Sequence, residues 1–344
     1  MSILIVGGGK MGMSHLALAT QYIGKRNVAL CDTKFSTRLL FRFLGYRTFS
    51  SVDAAASGLD QLSGVLIATP TASHAPLVRW AIGKKVPCFV EKPLTLNVKN
   101  SDELTTLADA TGVPVQVGFV MRYVASFQRL RQLVLNQSLG QLLGYTASMR
   151  GNVITKPPTP SSWQSDFARG GGCLNEYGPH IIDLSRFIFG SVREVGAVQM
   201  GRVYSSRADD RISIDWSHEN STSGQIDIDW CDITKRKSVI EFNVRFEHAN
   251  VRVDNSTVEI DWHDNVTLSP VARAQIDVPV QPQNVEYYLR GEEFSLELEE
   301  FLGTCVGRRF GVDESLANDT TPHLKDGCEV DRLIDEIARK AGLK

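Results

Sequence analysis

The opening of the chain confines it to few folds. A short apolar run, Ser2–Val6, leads directly into Gly7-Gly8-Gly9-Lys10-Met11-Gly12, and apolar residues at helical spacing follow over Ser14–Tyr22. A strand that turns through glycines straight into a helix is the first half of a βαβ unit. The rhythm then repeats. Val28–Cys31, Gly64–Ala68, Cys88–Val90 and Val115–Gly118 are short runs rich in Val, Ile and Leu, and Thr37–Leu44, Ala75–Ile82 and Asn100–Ala110 between them have helical spacing. Runs of this length without polar alternation suit strands covered on both faces. Residues 1–120 are therefore predicted to form a doubly wound α/β domain on a parallel sheet.

After residue 120 the pattern changes. Phe127–Gln137 reads as a helix, Leu142–Arg150 as a strand, and Lys156–Ser162 is too rich in proline for regular structure. A helix is expected from near Tyr177 to Phe189. From about 193 to 280 the text reads as successive strands, with polar and apolar residues alternating in Gln225–Trp230, Glu241–Phe246, Val251–Asp254 and Val258–Trp262. Period two with one wet face is the mark of an antiparallel sheet. Helical spacing returns at Glu292–Cys305 and Asp326–Ala341. Residues 121–344 are thus predicted to be an α+β domain on an open, mainly antiparallel sheet, with the last helix packing back on the first domain. If helices cover one face of that sheet, an apolar face left over on the other side favours a homo-oligomer, a dimer or tetramer.

Charge excludes one class of partner. Lys and Arg total 37 against 39 Asp and Glu, a formal charge of −2, whereas nucleic-acid binding on a basic face needs a surplus of cations. No apolar run is long enough to span a membrane. The first residues lack the basic and small-residue features of a secretory signal. The six cysteines are scattered, with no C-x-x-C pair, so no metal site is expected and a cytoplasmic chain of reduced thiols is the simplest reading.

The glycine motif fits G-x-G-x-x-G, and its setting gives it meaning: it follows a strand, opens a helix, and has Asp32 twenty residues past Gly12, at the end of the next strand. This is the fingerprint of a Rossmann dinucleotide site. Gly7 permits the tight turn, Gly9 lets the backbone approach a pyrophosphate, Gly12 lets helix and strand pack closely, and Lys10 and Met11 open the helix whose free N–H groups face the phosphates. A carboxylate at Asp32 accepts from ribose hydroxyls and repels a 2′-phosphate, which favours NAD; Lys34 and Arg38 close by leave NADP possible. The third apolar run ends in Ala68-Thr69-Pro70-Thr71, with His74 beyond, and the next ends in Glu91-Lys92-Pro93. Chain at the carboxyl ends of parallel strands lines the ligand crevice, so these residues are cofactor-site candidates. His74 opens a helix, where capping or packing is the commoner role.

At this point the chain resembles the glucose–fructose oxidoreductase/inositol dehydrogenase/rhizopine-catabolism (Gfo/Idh/MocA) family. The resemblance rests on Gly7 to Gly12, Thr69-Pro70 with His74, Glu91-Lys92-Pro93, Gly118-Phe119 followed by Arg122, the run from Gly170 to Asp183, and Pro322 to Gly327. It implies NAD(P)-dependent oxidation or reduction at a hydroxyl or carbonyl of a sugar, inositol-like polyol or sugar derivative. It implies further that Lys92 sits at the nicotinamide and the substrate hydroxyl, and that His180 is the acid/base. The family's acidic residue four before that histidine maps to Glu176, a longer side chain than the usual aspartate. Thr71 stands where asparagine is common.

The chemistry asks for these residue types on its own account. Hydride leaves a carbinol carbon only as the hydroxyl proton is removed, so a base must reach that oxygen. Histidine, with an ordinary pKa near neutrality, takes and returns a proton readily, and an ammonium beside the oxygen stabilises developing alkoxide charge. Arg122, Tyr123, Trp163 and Asn175 flank the two motifs and are candidate substrate contacts. Arg122 holds an anionic group or pairs with an internal acid; Trp163 stacks on a sugar ring or belongs to the core. Two alternatives keep the fold: transient oxidation by bound NAD followed by elimination or hydrolysis, and a regulator that binds the dinucleotide without turnover.

Overall fold

The computed structural model describes residues 1–159, 162–264, 266, 273–274, 276–281, 283–308, 310 and 320–344. Pro160 and Ser161 of the proline-rich stretch, and 265, 267–272 and 275 in the region read as strands, lie outside the described residues. The chain forms two compact units, one of residues 1–123 and 284–331, the other of 124–283 and 332–344.

In the first unit the elements run β1 (Ser2–Val6), α1 (Lys10–Ile23), β2 (Val28–Cys31), α2 (Phe35–Phe43), β3 (Arg47–Phe49), α3 (Val52–Gly58), β4 (Leu62–Ile67), α4 (His74–Gly83), β5 (Cys88–Glu91), α5 (Val98–Thr111) and β6 (Val115–Gly118). The six strands are all parallel, in the order β3-β2-β1-β4-β5-β6. This is the Rossmann arrangement, with the reversal of strand order between β1 and β4. The strands hold its core: Ile3, Leu4, Ile5, Val65, Leu66, Ile67, Phe89 and Val90 are fully buried. The run ending at Ile67 is the fourth strand, not the third. β3 is three residues long, half exposed, and carries too little apolar patterning to announce itself.

The second unit contains α6 (Ala125–Leu135), β7 (Leu142–Arg150), α7 (Cys173–Glu176), α8 (Gly178–Phe189), β8 (Val192–Gly201), β9 (Arg211–His218), β10 (Ser223–Asp229), β11 (Val239–Phe246), β12 (Ala249–Asp254) and β13 (Val258–Trp262). The seven strands lie in the order β13-β12-β11-β7-β10-β9-β8, antiparallel throughout except where β10 runs parallel to β7. One face is apolar and covered by helices. Phe127 of α6 meets Phe242 edge-on at 5.8 Å, and Tyr145 stacks on Phe189 of α8 at 3.9 Å. Each such ring removed from water contributes about 2–3 kcal/mol.

The other face corrects the expectation of an apolar surplus. Thr146, Ser148, Arg150, Gln225, Asp227, Glu241, Asn243 and Arg245 point outward from the central strands. They are laced by ion pairs such as Arg252–Glu241 and Arg211–Asp229, each at 2.8 Å. Strict alternation gave both faces correctly; the surplus was an inference about the helices, and the polar residues of the same strands occupy that face.

The chain then returns to the first unit with α9 (Glu292–Val306) and begins α10 (Leu324–Lys340), whose residues to Asp331 belong to the first unit and the remainder to the second. Leu298, Phe301 and Leu302 of α9 join the cluster formed by Leu16, Ala19 and Tyr22 of α1 and Ile3 and Ile5 of β1. No helix among the described residues is long and apolar enough to cross a membrane, and all six cysteines are free thiols.

Candidate active site

The turn after β1 has the shape its glycines demand. Gly7 has φ of +98°, and a Cβ there would stand 2.5 Å from the Ala68 carbonyl oxygen. A Cβ on Gly12 would stand 1.8 Å from the Gly7 carbonyl oxygen, so α1 can approach the turn this closely only without a side chain. Gly9 differs: nothing lies within 4 Å of the place its Cβ would occupy, and it opens α1 with no side chain capping the first N–H groups. An open cradle at an uncapped helix N-terminus is what a pyrophosphate requires, so the residues present fit a dinucleotide. Lys10 beside it is exposed and Met11 half-buried.

Asp32 closes the cradle from β2. Its Oδ2 accepts from the Gly8 N–H at 2.7 Å and its Oδ1 from the Lys34 N–H at 2.7 Å. Arg38 donates to the carbonyls of Asp32 and Thr33 at 2.8 and 2.7 Å, which anchors its guanidinium beside that carboxylate. A carboxylate and a guanidinium therefore stand close together at the end of β2.

At the carboxyl end of β5 the stretch from Glu91 to Thr95 is braced from three elements. His15 of α1, itself buried, donates from Nε2 to Glu91 Oε1 at 2.7 Å. Burial pushes the Glu91 carboxyl up, but the His15 bond and the nearby charges of His15, Lys92 and His74 outweigh it, and the carboxyl lies below its ordinary value. His74 of α4 contacts the Pro93 carbonyl through Nδ1 at 2.9 Å and the Thr69 carbonyl through Nε2 at 2.8 Å. Asp331 of α10 accepts from the Thr95 N–H, the Thr95 hydroxyl and the Ser101 hydroxyl at 2.8, 3.0 and 2.6 Å. Lys92 itself is half-buried, between the buried Val90 and Pro93, and the Lys92–Pro93 bond is cis. Ala68 and Thr69 are half-buried and Pro70 exposed at the neighbouring strand end.

In the second unit the glycine-rich run folds around backbone contacts. A Cβ on Gly171 would stand 2.5 Å from the Trp163 carbonyl oxygen, and one on Gly172, whose φ is +94°, 2.1 Å from Asp209 Oδ1. Asp209 anchors the start of α7 by accepting from the Leu174 N–H at 2.7 Å. Burial pushes its carboxyl up. From Gly171 to Ser185 every residue is buried except Glu176 and His180, which are half-buried and four apart. The segment thus presents a carboxylate and an imidazole where α7 ends and α8 begins.

Three of the four substrate-contact candidates bond to residues of the chain itself. Arg122 is buried and pairs with Asp326 at 3.1 Å, the second of its two expected fates. Tyr123 is buried and donates its hydroxyl to the Glu300 carboxylate. Asn175 is buried, its amide donating to the carbonyls of Phe167 and Gly171. Trp163 is 44% exposed, so it is not a core residue. Sequence reasoning missed Asp209 and Asp331, because an acid before a strand or on a helix reads as a wet face until its distant partner is known.

Comparison with known proteins agrees with this geometry. A profile described as oxidoreductase family, NAD-binding Rossmann fold, matches residues 1–119. One described as GFO/IDH/MocA C-terminal domain matches residues 127–252. Inositol 2-dehydrogenase of Pseudarthrobacter chlorophenolicus is 28% identical over 205 residues, 58% of either chain. Glucose-6-phosphate 3-dehydrogenase of Bacillus subtilis is 23% identical over 216 residues, 61% of either chain. The chain therefore spans about three fifths of the length of these two relatives. Among solved structures, levoglucosan dehydrogenase in complex with NADH superposes with a TM-score of 0.79 at 17% identity, covering 99% of this chain and 97% of the other. The WlbA dehydrogenase from Bordetella pertussis in complex with NADH and UDP-GlcNAcA gives 0.80 at 16% identity, covering 99% and 95%. At such identity the superpositions speak for the fold alone. With its nucleotide cradle and both halves matched in order, this chain belongs to the Gfo/Idh/MocA family of NAD-binding oxidoreductases.

Proposed function

We propose that this chain is an NAD-dependent dehydrogenase acting at a CH–OH group of a sugar, inositol-like polyol or sugar derivative, with Lys92 and His180 managing the hydroxyl proton. Gly7, Gly9, Lys10, Met11 and Gly12 hold the pyrophosphate and Asp32 the adenosine ribose, while Ala68, Thr69, Pro70, Glu91 and Lys92 form the nicotinamide end. Bound NAD supplies a two-electron acceptor for the carbinol hydride. The protein supplies the rest. Lys92 donates a hydrogen bond to the substrate oxygen and steadies its charge as the proton departs. His180 takes that proton, and in the reverse direction returns it. Glu176, four residues earlier on the same segment, orients the imidazole or holds a neighbouring hydroxyl.

The observation that carries this reading is the bracing of the stretch from Glu91 to Thr95. Three buried polar side chains, His15, His74 and Asp331, hold the residues on either side of one half-buried lysine. Such spending of buried contacts on a strand-end turn is explained by a need to aim its side chain. The choice of substrate class follows the printed activities of the relatives, inositol 2-dehydrogenase and glucose-6-phosphate 3-dehydrogenase.

The test is a panel of sugars, polyols and sugar acids, screened for net NADH accumulation. With a substrate in hand, Lys92→Ala should lower turnover by roughly a hundredfold or more while NADH binding persists. His180→Ala should cost about 10²–10⁴-fold. Wild-type turnover in the Lys92→Ala protein would sink the assignment.

A further inference from the structure

His74 lies outside the proton transfer assigned above, yet its surroundings are too specific for a capping residue. It is the first residue of α4 and 1% exposed, and both its ring nitrogens face carbonyl oxygens outside that helix. Its two nitrogens face the carbonyl oxygens of Thr69, two residues past β4, and Pro93, two residues past β5. These strands are adjacent, with Ile67 paired to Val90. The ring therefore spans two neighbouring turns at the carboxyl end of the sheet.

Both partners are carbonyls and can only accept. A neutral imidazole carries one N–H and satisfies one of them; an imidazolium satisfies both. Burial pushes the His74 pKa down while the two carbonyls pull it up, and burial prevails. The geometry nevertheless places one aromatic ring in contact with both turns at hydrogen-bond distance. No aliphatic side chain reproduces that.

We propose that His74 is a positioning residue: it ties the turn at Thr69 to the turn at Pro93 and thereby fixes the direction in which Lys92 leaves the sheet. The proposal rests on the reading of Lys92 as a catalytic group. His74 touches neither the substrate oxygen nor the transferred proton. Its contribution is to hold the peptide that carries the ammonium, because displacement of a catalytic group by about 1 Å can cost on the order of a hundredfold in rate.

The experiment uses the full chain and three variants. His74→Phe keeps the ring volume and removes both ring nitrogens, His74→Asn offers a donor near Nδ1, and His74→Gln offers one near Nε2. Backbone amide exchange is followed by mass spectrometry over peptides covering 66–73 and 88–97, with β1 and β2 as internal references. Exchange should rise by about tenfold in both peptides of His74→Phe, with the reference strands unchanged. NADH affinity should stay within about threefold of the wild type, and kcat should fall roughly ten- to a hundredfold with KM for the hydroxyl substrate nearly constant. Asn and Gln should each recover part of the loss.

Unchanged exchange in both peptides overturns the proposal, as does a uniform rise that includes β1 and β2, which would make His74 an ordinary stability residue. If His74→Phe does not fold, His74→Asn and His74→Gln decide by the same readouts. If no hydroxyl substrate is ever turned over, the proposed activity fails, and the exchange data still show whether the ring ties the two turns.

Discussion

Gly9 and Gly12 belong to one motif but have different physical duties, and alanine at each separates them. At Gly9 the backbone has φ of −75° and ψ of −173°, which alanine adopts freely, and no atom lies within 4 Å of the new methyl. Loss of unfolded-state entropy favours the variant by about 0.4–1 kcal/mol, and alanine's poor N-capping opposes by a similar amount. Stability should stay within about 1 kcal/mol of wild type. The methyl would instead occupy the cradle and break at least one charge-assisted hydrogen bond to a phosphate, a loss of about 1.5–3 kcal/mol, or ten- to a hundredfold in NADH affinity. At Gly12 the methyl would lie 1.8 Å from the Gly7 carbonyl oxygen. Relief requires α1 to retreat by about 1.5 Å, an overpacking cost of about 1–3 kcal/mol. Tm should fall by roughly 3–10 °C, and NADH binding with it. Thermal unfolding and NADH fluorescence titration of the two variants decide. A Gly9→Ala protein that binds NADH as wild type does, or loses as much stability as Gly12→Ala, would refute the division of labour.

Three further outcomes follow from the same geometry. Asp32→Ser should improve NADP binding about ten- to a hundredfold and weaken NAD, because a carboxylate about 5 Å from a 2′-phosphate repels it by roughly 1.5–3 kcal/mol, and Arg38 is already anchored beside it; titrating both cofactors against the variant tests this, and an unchanged preference would remove Asp32 from the ribose site. Burial pushes the Glu300 carboxyl up to about 7, with Tyr123 and Arg122 pulling against it. A carboxyl raised in the folded state contributes most below its unfolded pKa and loses that contribution as pH rises through 7. Stability should therefore decline between pH 5 and 8 by roughly 2–3 kcal/mol more in the wild type than in Glu300→Gln, measured by urea denaturation; parallel curves would contradict it. Asp331→Ala takes the acceptor from the buried Thr95 N–H, while the Thr95 and Ser101 hydroxyls keep each other at 2.7 Å, and should cost about 1–3 kcal/mol, whereas a loss below about 0.5 kcal/mol would show that the turn after Pro93 holds without it.

What the sequence disclosed was local. The glycine turn, the strand runs and the alternation along β10 to β13 follow from backbone rules acting within a few residues, and each lies close to where those rules put it. β3 escaped because Arg47-Thr48-Phe49 is an edge strand with one half-exposed apolar residue, too short for any period. The braces around Lys92 were illegible for another reason. His15 and Glu91 are 76 residues apart, and Thr95 and Asp331 are 236 apart. No periodicity joins such pairs. A histidine in an amphipathic helix and an acid in a terminal helix look alike whether they meet water or each other.

The acids of α9 show how far this ambiguity reaches. Glu297, Glu299 and Glu300 crowd one turn of a helix, a pattern that ordinarily marks a solvated face. Glu297 and Glu299 are instead 1% and 3% exposed. Glu299 takes the Tyr22 hydroxyl of α1, and Glu300 takes that of Tyr123. Arg122, the cation most suggestive of an anionic ligand, is bound to Asp326 in the same unit. A charged residue thus declares its chemistry in the sequence but not its audience. Lys92 is different because its position is set twice over: by the strand end, which is local and readable, and by buried partners, which are not. The first made it a candidate; the second gives a physical reason for its aim, and that reason is open to test at His74 without changing the lysine itself.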